Sequence, residues 1–240
     1  MSELFSIQLQ NRQQQGRDGV WLDLPTTTEQ VQAALRQIGI SSDNPQGLFI
    51  SGYFAEEEKR FAIPYNMVLA SNVDELNFLA SRLETLSTGE RAELNAALQA
   101  PQSELFSIGR ITDFPENVDY YVHLPDVHGP AQLGDYYLNR SGMVDMPEEW
   151  KGGIDTAQFG RYVAQQEQGA FTQYGYLVKS GDEWQKVHEG QPVPEEYRVL
   201  SFPAPEVLRD SANIPPPVQP ETEPQKVIPI ILNGKDSAER

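Results

Sequence analysis

Residues 72–101, NVDELNFLASRLETLSTGERAELNAALQAP, decide the class of fold that this chain can adopt. Asn72 and Glu75 have the spacing of a capping box, in which each side chain accepts a hydrogen bond from the other residue's backbone N–H. Such a box marks the start of a helix. The apolar residues that follow recur at helical spacing and predict one buried stripe. They are Val73, Leu76, Leu79, Ala80, Leu83 and Leu86.

A second helix is predicted directly after the first. Ser87 and Glu90 repeat the capping-box spacing, and the helix must end before Pro101. Because the connection is so short, we expect the two helices to pack antiparallel. The sequence on either side changes to aromatic, strand-like runs, so this helical pair is predicted to connect two mixed α/β units. Four acids lie off the apolar stripe and are expected to face water: Asp74, Glu84, Glu90 and Glu93.

The two flanking units each combine strand and helix patterns. In the first unit, Thr26 and Glu29 have capping-box spacing before a helix that Gly39 is suited to end. In the last unit, Gly142 and Gly169 are suited to end two further helices. The predicted strands are residues 4–9, 20–24, 48–54, 120–124 and 170–179, and the predicted helices are residues 26–39, 132–139 and 154–166.

The last sixty residues differ in character from the rest of the chain. Ten prolines punctuate a polar segment from Gly181 onwards, which predicts an extended, mobile linker. We therefore expect it to be dispensable for binding a partner. The apolar run VIPIIL at residues 227–232 leaves three possibilities open: a short docked strand, a partner-binding segment, or the front of a longer tail. The predicted fold class is α+β, with small domains at residues 1–64, 65–101 and 102–180 and a proline-rich tail at residues 181–240.

Charge restricts the partners that the chain can have. The 240 residues carry a net charge of −17, from 35 acids and 18 bases that are spread along the sequence. Such a charge repels nucleic acid and anionic lipid and favours a basic partner, although it can also serve solubility alone. The absence of cysteine excludes disulfides and favours an intracellular protein. No apolar run is long enough to span a bilayer, so we expect no membrane association.

The sequence HLPDVH contains the best candidate metal ligands. His123, Asp126 and His128 could bind a divalent ion and would point to a metal-dependent hydrolase. The alternative is that they are polar loop residues, because proline leaves no fixed face and no fourth ligand is evident. The common nucleotide-binding, zinc-protease and nucleophile-elbow motifs are absent from the sequence. We therefore predict no catalytic residue, no metal and no cofactor. The sequence also contains pairs of adjacent tyrosines, which we interpret as aromatic residues that pack in the protein rather than as a surface that binds nucleic acid.

Several motifs, taken in order, resemble the ArdA-type antirestriction proteins. GVWLDLP at residues 19–25, a helix ending in IG, and the strand LFISGYFAE resemble the N-terminal pattern of that family. DELNFLASRLETL at residues 74–86 resembles its central helix. The most specific match is LGDYYLNRSGMVDMPEEWKGGIDTAQFGRYV at residues 133–163, and the resemblance covers residues 1–179. Gly52, Asn139 and Arg140 stand where the family tends to have acids.

The resemblance implies a non-enzymatic, elongated protein that dimerises through its C-terminal unit. It further implies that carboxylates imitate DNA phosphates and occupy the DNA-binding groove of type I restriction–modification enzymes. The setting that it implies is the cytoplasm of a bacterium receiving a mobile element. A homodimer would carry twice −17, the charge of about 17 base pairs of DNA. The alternative is a non-inhibitory acidic protein that binds another basic DNA-handling protein.

Two sets of candidate site residues accompany this resemblance. Residues 135–150 align with the segment called the antirestriction motif of the family. The acidic partner-binding surface is predicted to comprise Asp74, Glu75, Glu84, Glu90, Glu93, Asp113, Glu116, Asp119, Asp135, Asp145, Glu148, Glu149 and Asp155. Four aromatic residues, more than two short helices can bury, are predicted to form the dimer interface: Tyr136, Tyr137, Phe159 and Tyr162.

Overall fold

The computed structural model describes residues 3–14, 18–41, 46–56 and 60–200 of the chain. These residues form a mixed α/β structure with two small antiparallel sheets, as the predicted class requires. The described residues fall in one compact unit. None of the described helices combines the length and the apolar character needed to cross a bilayer. The division into three domains and the elongated shape stay predictions.

Three antiparallel strands form the first sheet, in the order β2-β1-β3. Residues of the central strand alternate, so that Phe5, Ile7 and Leu9 are buried while Ser6 and Gln8 lie on the other face. The following helix packs its apolar stripe into the same hydrophobic cluster. The predicted strand–strand–helix–strand order is thereby confirmed. Its elements are β1 (Phe5–Asn11), β2 (Val20–Leu24), α1 (Thr28–Gln37) and β3 (Leu48–Phe54).

Three more antiparallel strands form the second sheet, in the order β4-β6-β5. The predicted single strand over residues 170–179 is wrong, because a turn folds it into a hairpin. Gly175 in this turn has φ +120°, a conformation that glycine adopts without strain. A Cβ at this position would also lie 2.4 Å from the carbonyl oxygen of Leu124. The strands are β4 (Tyr121–Leu124), β5 (Ala170–Thr172) and β6 (Gly175–Lys179).

The central helices begin at the capping boxes that the sequence predicts. Glu75 N donates to Asn72 Oδ1 at 2.9 Å, and Ser87 and Glu90 form the second box. The helices are α2 (Tyr65–Leu69), α3 (Val73–Glu84), α4 (Thr88–Gln99) and α5 (Ile108–Thr112). The antiparallel packing of α3 on α4 stays a prediction. Helix α3 packs against α5 and β2, α4 packs against β4 and β6, and apolar residues of both helices lie in one hydrophobic cluster.

Two of the predicted helix boundaries are also corrected. The capping box of α1 consists of Thr27 and Gln30, one residue later than expected. At the end of the last helix, Gln168 adopts the left-handed conformation with φ 55°. The neighbouring Gly169 is required for another reason, since a Cβ there would lie 2.0 Å from the hydroxyl oxygen of Tyr176.

Two helices of the C-terminal half cross backbone to backbone at a pair of glycines. A Cβ on Gly160 would lie 1.8 Å from the carbonyl oxygen of Pro130. One on Gly134 would lie 1.9 Å from the carbonyl oxygen of Thr156. No side chain fits between the two helices at this point, so the crossing depends on both glycines. The helices are α6 (Pro130–Asp135) and α8 (Thr156–Glu167), and the short α7 (Glu148–Lys151) lies between them in sequence.

Residues 181–200, which we call the strap, pack against the rest of the described chain. Asp113 accepts hydrogen bonds from three consecutive backbone N–H groups, those of residues 187–189, at 2.6–3.3 Å. Asn117 both donates to and accepts from the backbone of Gln185. These side chains satisfy backbone groups that have no partner strand. The expected mobile linker is therefore wrong for the strap, while residues 201–240, with VIPIIL, lie outside the described residues.

Candidate functional site

The predicted acidic residues differ widely in exposure. Asp113 is fully buried, so its assignment to an acidic surface is wrong. Six of the remaining residues are partly buried: Asp74, Glu75, Glu84, Glu90, Glu93 and Asp135. Six are exposed: Glu116, Asp119, Asp145, Glu148, Glu149 and Asp155.

Four of the exposed acids lie close together in sequence, around the short helix α7. Glu148 and Glu149 occupy its first turn, and Asp145 precedes it. Glu148 pairs with Lys151 at 2.6 Å, which neutralises part of its charge. Asp155 accepts from the backbone N–H groups that open α8 and remains exposed. This segment places three to four carboxylates where a partner can reach them.

Other acids of the predicted surface are paired with bases or amides of the same chain. Asp135 accepts from Asn139 and from Arg140, both at 2.9 Å. Glu116 pairs with Arg82. Both of these carboxylates therefore carry a local counter-charge, which reduces the field that they present to a partner.

The acids of the two capping boxes remain partly accessible although they have a structural role. Glu75 accepts from the backbone N–H of Asn72 and Glu90 from that of Ser87. Hydrogen bonds from the side chain and backbone of Ser87 lower the pKa of Glu90. Glu90 is therefore charged at neutral pH.

The helical pattern predicts that Glu93 faces water, but in the structure its side chain is partly buried. Burial raises the pKa of its carboxyl to about 8, and the charges of Glu90 and Asp119 act in the same direction. Its Oε1 is buried and has no hydrogen-bond partner among the described residues. Glu93 is therefore mostly protonated at neutral pH and adds little negative charge to the surface.

Asp74 and Asp113 bind the strap through hydrogen bonds, and the sequence does not indicate this role. Asp74 Oδ1 accepts from the backbone N–H groups of Val199 and Leu200, at 2.7 and 2.8 Å. Burial raises the pKa of Asp74, and these two hydrogen bonds oppose the shift. The partners of both aspartates lie more than seventy residues further along the chain, so no local pattern could have identified them.

The strap is also held by aromatic and ionic contacts. His188, which stands alone among charged residues in the sequence, makes an edge-to-face contact with Phe78 at 4.9 Å. The guanidinium of Arg110 is buried between Glu104 and Glu189, at 2.9 and 3.1 Å. Glu189 belongs to the strap and Glu104 does not, so Arg110 links the two.

The tyrosines predicted for a dimer interface have partners within the chain. The predicted helix over residues 132–139 is corrected, because α6 ends at Asp135 and a π-helical segment (Tyr136–Arg140) follows. Tyr137 and Tyr176 both donate to the carboxylate of Glu167. Burial and this carboxylate raise the pKa of both phenols.

The other aromatic residues of that set differ in exposure. Tyr136 contacts the ring of Tyr137 edge-to-face and is partly buried, as is Phe159. Tyr162 is 53% exposed. The dimer interface stays a prediction, and Tyr162 is the member of the set with the most surface to offer.

The candidate metal ligands are not brought together. The Nε2 atom of His123 lies 2.7 Å from the carbonyl oxygen of Tyr174, so it carries the proton and donates. Asp126 and His128 are exposed in the following loop. Across the described residues, no group of three or more histidine, cysteine or acidic side chains is placed to hold a metal ion.

The fold and this surface define an acidic α+β protein with exposed carboxylates concentrated around one short helix. A family model of antirestriction proteins, ArdA, matches residues 15–178. The chain belongs to the ArdA antirestriction protein family. No curated protein matches it.

Proposed function

We propose that this protein inhibits type I restriction–modification enzymes by occupying their DNA-binding groove as a DNA mimic. The observation that carries the proposal is the family match over residues 15–178, which includes the exposed acids around α7. A groove that binds DNA presents lysine and arginine side chains to phosphates. Exposed carboxylates can occupy the same positions. The protein then acts by binding alone, as a non-catalytic member of the cytoplasmic proteins that protect incoming DNA.

The proposed contact surface is smaller than the sequence suggests. It omits Asp113, which is buried, Asp74, which holds the strap, and Glu93, which is mostly protonated. Glu75, Glu84, Glu90 and Asp135 contribute at its margin. Glu116, which pairs with Arg82, also lies at the margin, and the principal residues are the exposed acids Asp119, Asp145, Glu148, Glu149 and Asp155.

A homodimer would extend this surface and double its charge. The dimer is proposed to form through the C-terminal half of the chain, where Tyr162 is 53% exposed. Tyr137 already donates to Glu167 of its own chain, so it contributes less to such an interface than Tyr162 does. Light scattering should give about twice the 26.9 kDa mass of one chain, and a single-chain mass at all concentrations would remove this part of the proposal.

The decisive experiment measures DNA cleavage and DNA methylation by a purified type I enzyme as this protein is added. A DNA mimic should inhibit both reactions, because both require bound DNA. Excess unmodified DNA should relieve the inhibition, and the protein should displace labelled DNA in a gel-shift assay. The alternative, a non-inhibitory acidic protein, predicts full enzyme activity throughout. A ternary complex of enzyme, DNA and inhibitor would overturn the groove mechanism while leaving inhibition intact.

A further inference from the structure

The outer face of the first sheet carries two large aromatic side chains that the core does not use. Trp21 of β2 is 50% exposed and Phe54 of β3 is 58% exposed, whereas Leu22 beside Trp21 is 6% exposed. Strands β2 and β3 flank β1 on opposite sides. The two ring centroids are nonetheless only 6.4 Å apart, in an edge-to-face contact.

Gly52 explains how the two rings meet across the central strand. Gln8 pairs with Trp21 on one side and with Gly52 on the other, so these three positions form one row across the sheet. A Cβ added to Gly52 would lie 3.1 Å from Cη2 of Trp21. The indole therefore extends across Gln8 and lies over Gly52. The resulting aromatic surface spans all three strands.

A carboxylate stands beside this aromatic pair. Ser6 pairs with Asp23 on one side and with Phe54 on the other, which places these residues in the neighbouring row. The hydroxyl of Ser6 donates to Asp23 Oδ1 at 2.6 Å and orients the carboxylate, while Asp23 remains exposed. A cation that approaches the two rings therefore also meets the negative charge of Asp23, which is the next residue of β2 on the outer face of the sheet.

We propose that Trp21, Phe54 and Asp23 bind an arginine side chain of a basic protein partner. A guanidinium group stacks on aromatic faces, pairs with carboxylates and is more weakly hydrated than the ammonium of lysine. The partner is expected to be positively charged, because the chain itself carries a net charge of −17. The identity of the partner rests on the proposed function, in which a type I enzyme presents arginines to DNA. The aromatic pair then supplies a fixed anchor beside carboxylates that attract by charge alone.

Two probes of equal charge test the proposal, an octa-arginine and an octa-lysine peptide titrated into the full-length protein. Octa-arginine should bind the wild-type protein more tightly. Trp21→Ala should weaken octa-arginine binding about five- to thirtyfold, and should change octa-lysine binding less than about twofold. Trp21→Phe should restore part of the loss. Phe106→Ala removes another exposed aromatic residue, one that already contacts Arg110 of its own chain, and should leave both affinities unchanged.

Inhibition of a type I enzyme supplies the second readout. Trp21→Ala should raise the concentration that gives half-inhibition by a similar factor. Equal binding and inhibition by a folded Trp21→Ala variant would overturn the proposal, as would equal affinity of the wild-type protein for the two peptides. If Trp21→Ala fails to fold, Asp23→Asn decides, with an expected loss of about two- to fivefold for octa-arginine. Failure of the proposed function looks different, because the wild-type protein would then inhibit no type I enzyme, whatever the peptides show.

Discussion

Asp113 and Asp145 are both aspartates of an acidic chain, yet the structure gives them opposite environments. Asp145 is exposed, whereas Asp113 is fully buried and is surrounded by backbone N–H groups. The sequence predicts where acids occur and which of them cap a helix, because capping depends on residues three positions apart. It does not predict which carboxylates a distant segment covers. Of the thirteen predicted surface acids, Asp113 is buried beneath the strap, and Asp74 is partly buried and accepts hydrogen bonds from it.

Replacing Asp113 with asparagine keeps its shape but converts one acceptor oxygen into a donor. At least one buried N–H of residues 187–189 would then lose its partner. We expect the free energy of unfolding, measured by urea denaturation, to fall by about 2–3 kcal/mol. Asp145→Asn, at an exposed position, should change it by less than about 0.5 kcal/mol. Equal losses in the two variants would contradict the described role of Asp113.

Glu93 should make stability depend on pH. Its folded pKa of about 8 lies above its ordinary value of 4.5, so the folded chain retains a proton that the unfolded chain releases. The stabilising contribution of Glu93 to the free energy of unfolding is therefore fully present below pH 4.5 and is lost as the pH rises towards 8. The Glu93→Gln side chain is neutral at every pH. The melting temperature of this variant, relative to that of the wild type, should therefore rise between about pH 5 and about pH 8. Glu149→Gln, at an exposed position, should show no such trend, and a flat difference for Glu93→Gln would refute the raised pKa.

The local sequence predicts where the central helices begin, but it does not predict which distant elements they contact. The capping boxes of α3 and α4 lie where their residues indicate, because each box involves four consecutive positions. The placement of α3 on α5 and of α4 on the second sheet depends on apolar surfaces that are distant in sequence. The strap illustrates the same limit, since proline content predicted mobility while the anchoring side chains lie in residues 74–117.

The crossing of α6 and α8 should tolerate no side chain. Gly160→Ala would place a methyl group 1.8 Å from the carbonyl oxygen of Pro130, so the helices must separate. We expect a loss of about 1–3 kcal/mol in the free energy of unfolding. Gly89→Ala in α4 is the matched control, because no atom from outside the local backbone of α4 lies within 4 Å of its added Cβ. This control should raise stability by up to about 1 kcal/mol, and a similar loss in both variants would show that the crossing is not the cause.

At the level of the whole molecule, the strap determines where the chain can be truncated without loss of stability. A chain that ends at residue 179 would leave the buried carboxylate of Asp113 without its three N–H partners and would expose the contacts of Val199. We expect its melting temperature to fall well below that of the full chain. A chain that ends at residue 200 keeps every described contact and should retain both the melting temperature and any inhibition. Loss of inhibition in this longer chain, with its melting temperature unchanged, would show that residues 201–240 take part in binding.

The proposed mimicry makes a charge-dependent prediction for the surface around α7. Each exposed ion pair contributes less than about 1 kcal/mol, so one amide substitution should weaken inhibition only slightly. Replacing Asp145, Glu148, Glu149 and Asp155 by their amides should weaken it much more, mainly through the association rate. Asparagine at position 155 can still cap α8, so the fold should persist.

A matched set of substitutions separates a specific surface from net charge. Amides at Asp182, Glu183, Glu195 and Glu196 remove the same four charges from exposed positions of the strap, outside the family match. If the groove is occupied by the α7 surface, this control should retain most of the inhibition, and its dependence on salt should stay close to that of the wild type. Raising the ionic strength should weaken the wild-type complex, because exposed charges are screened beyond about 8 Å at physiological salt. Inhibition that is insensitive both to salt and to the α7 amides would exclude phosphate mimicry, and it would leave a single apolar contact as the source of binding.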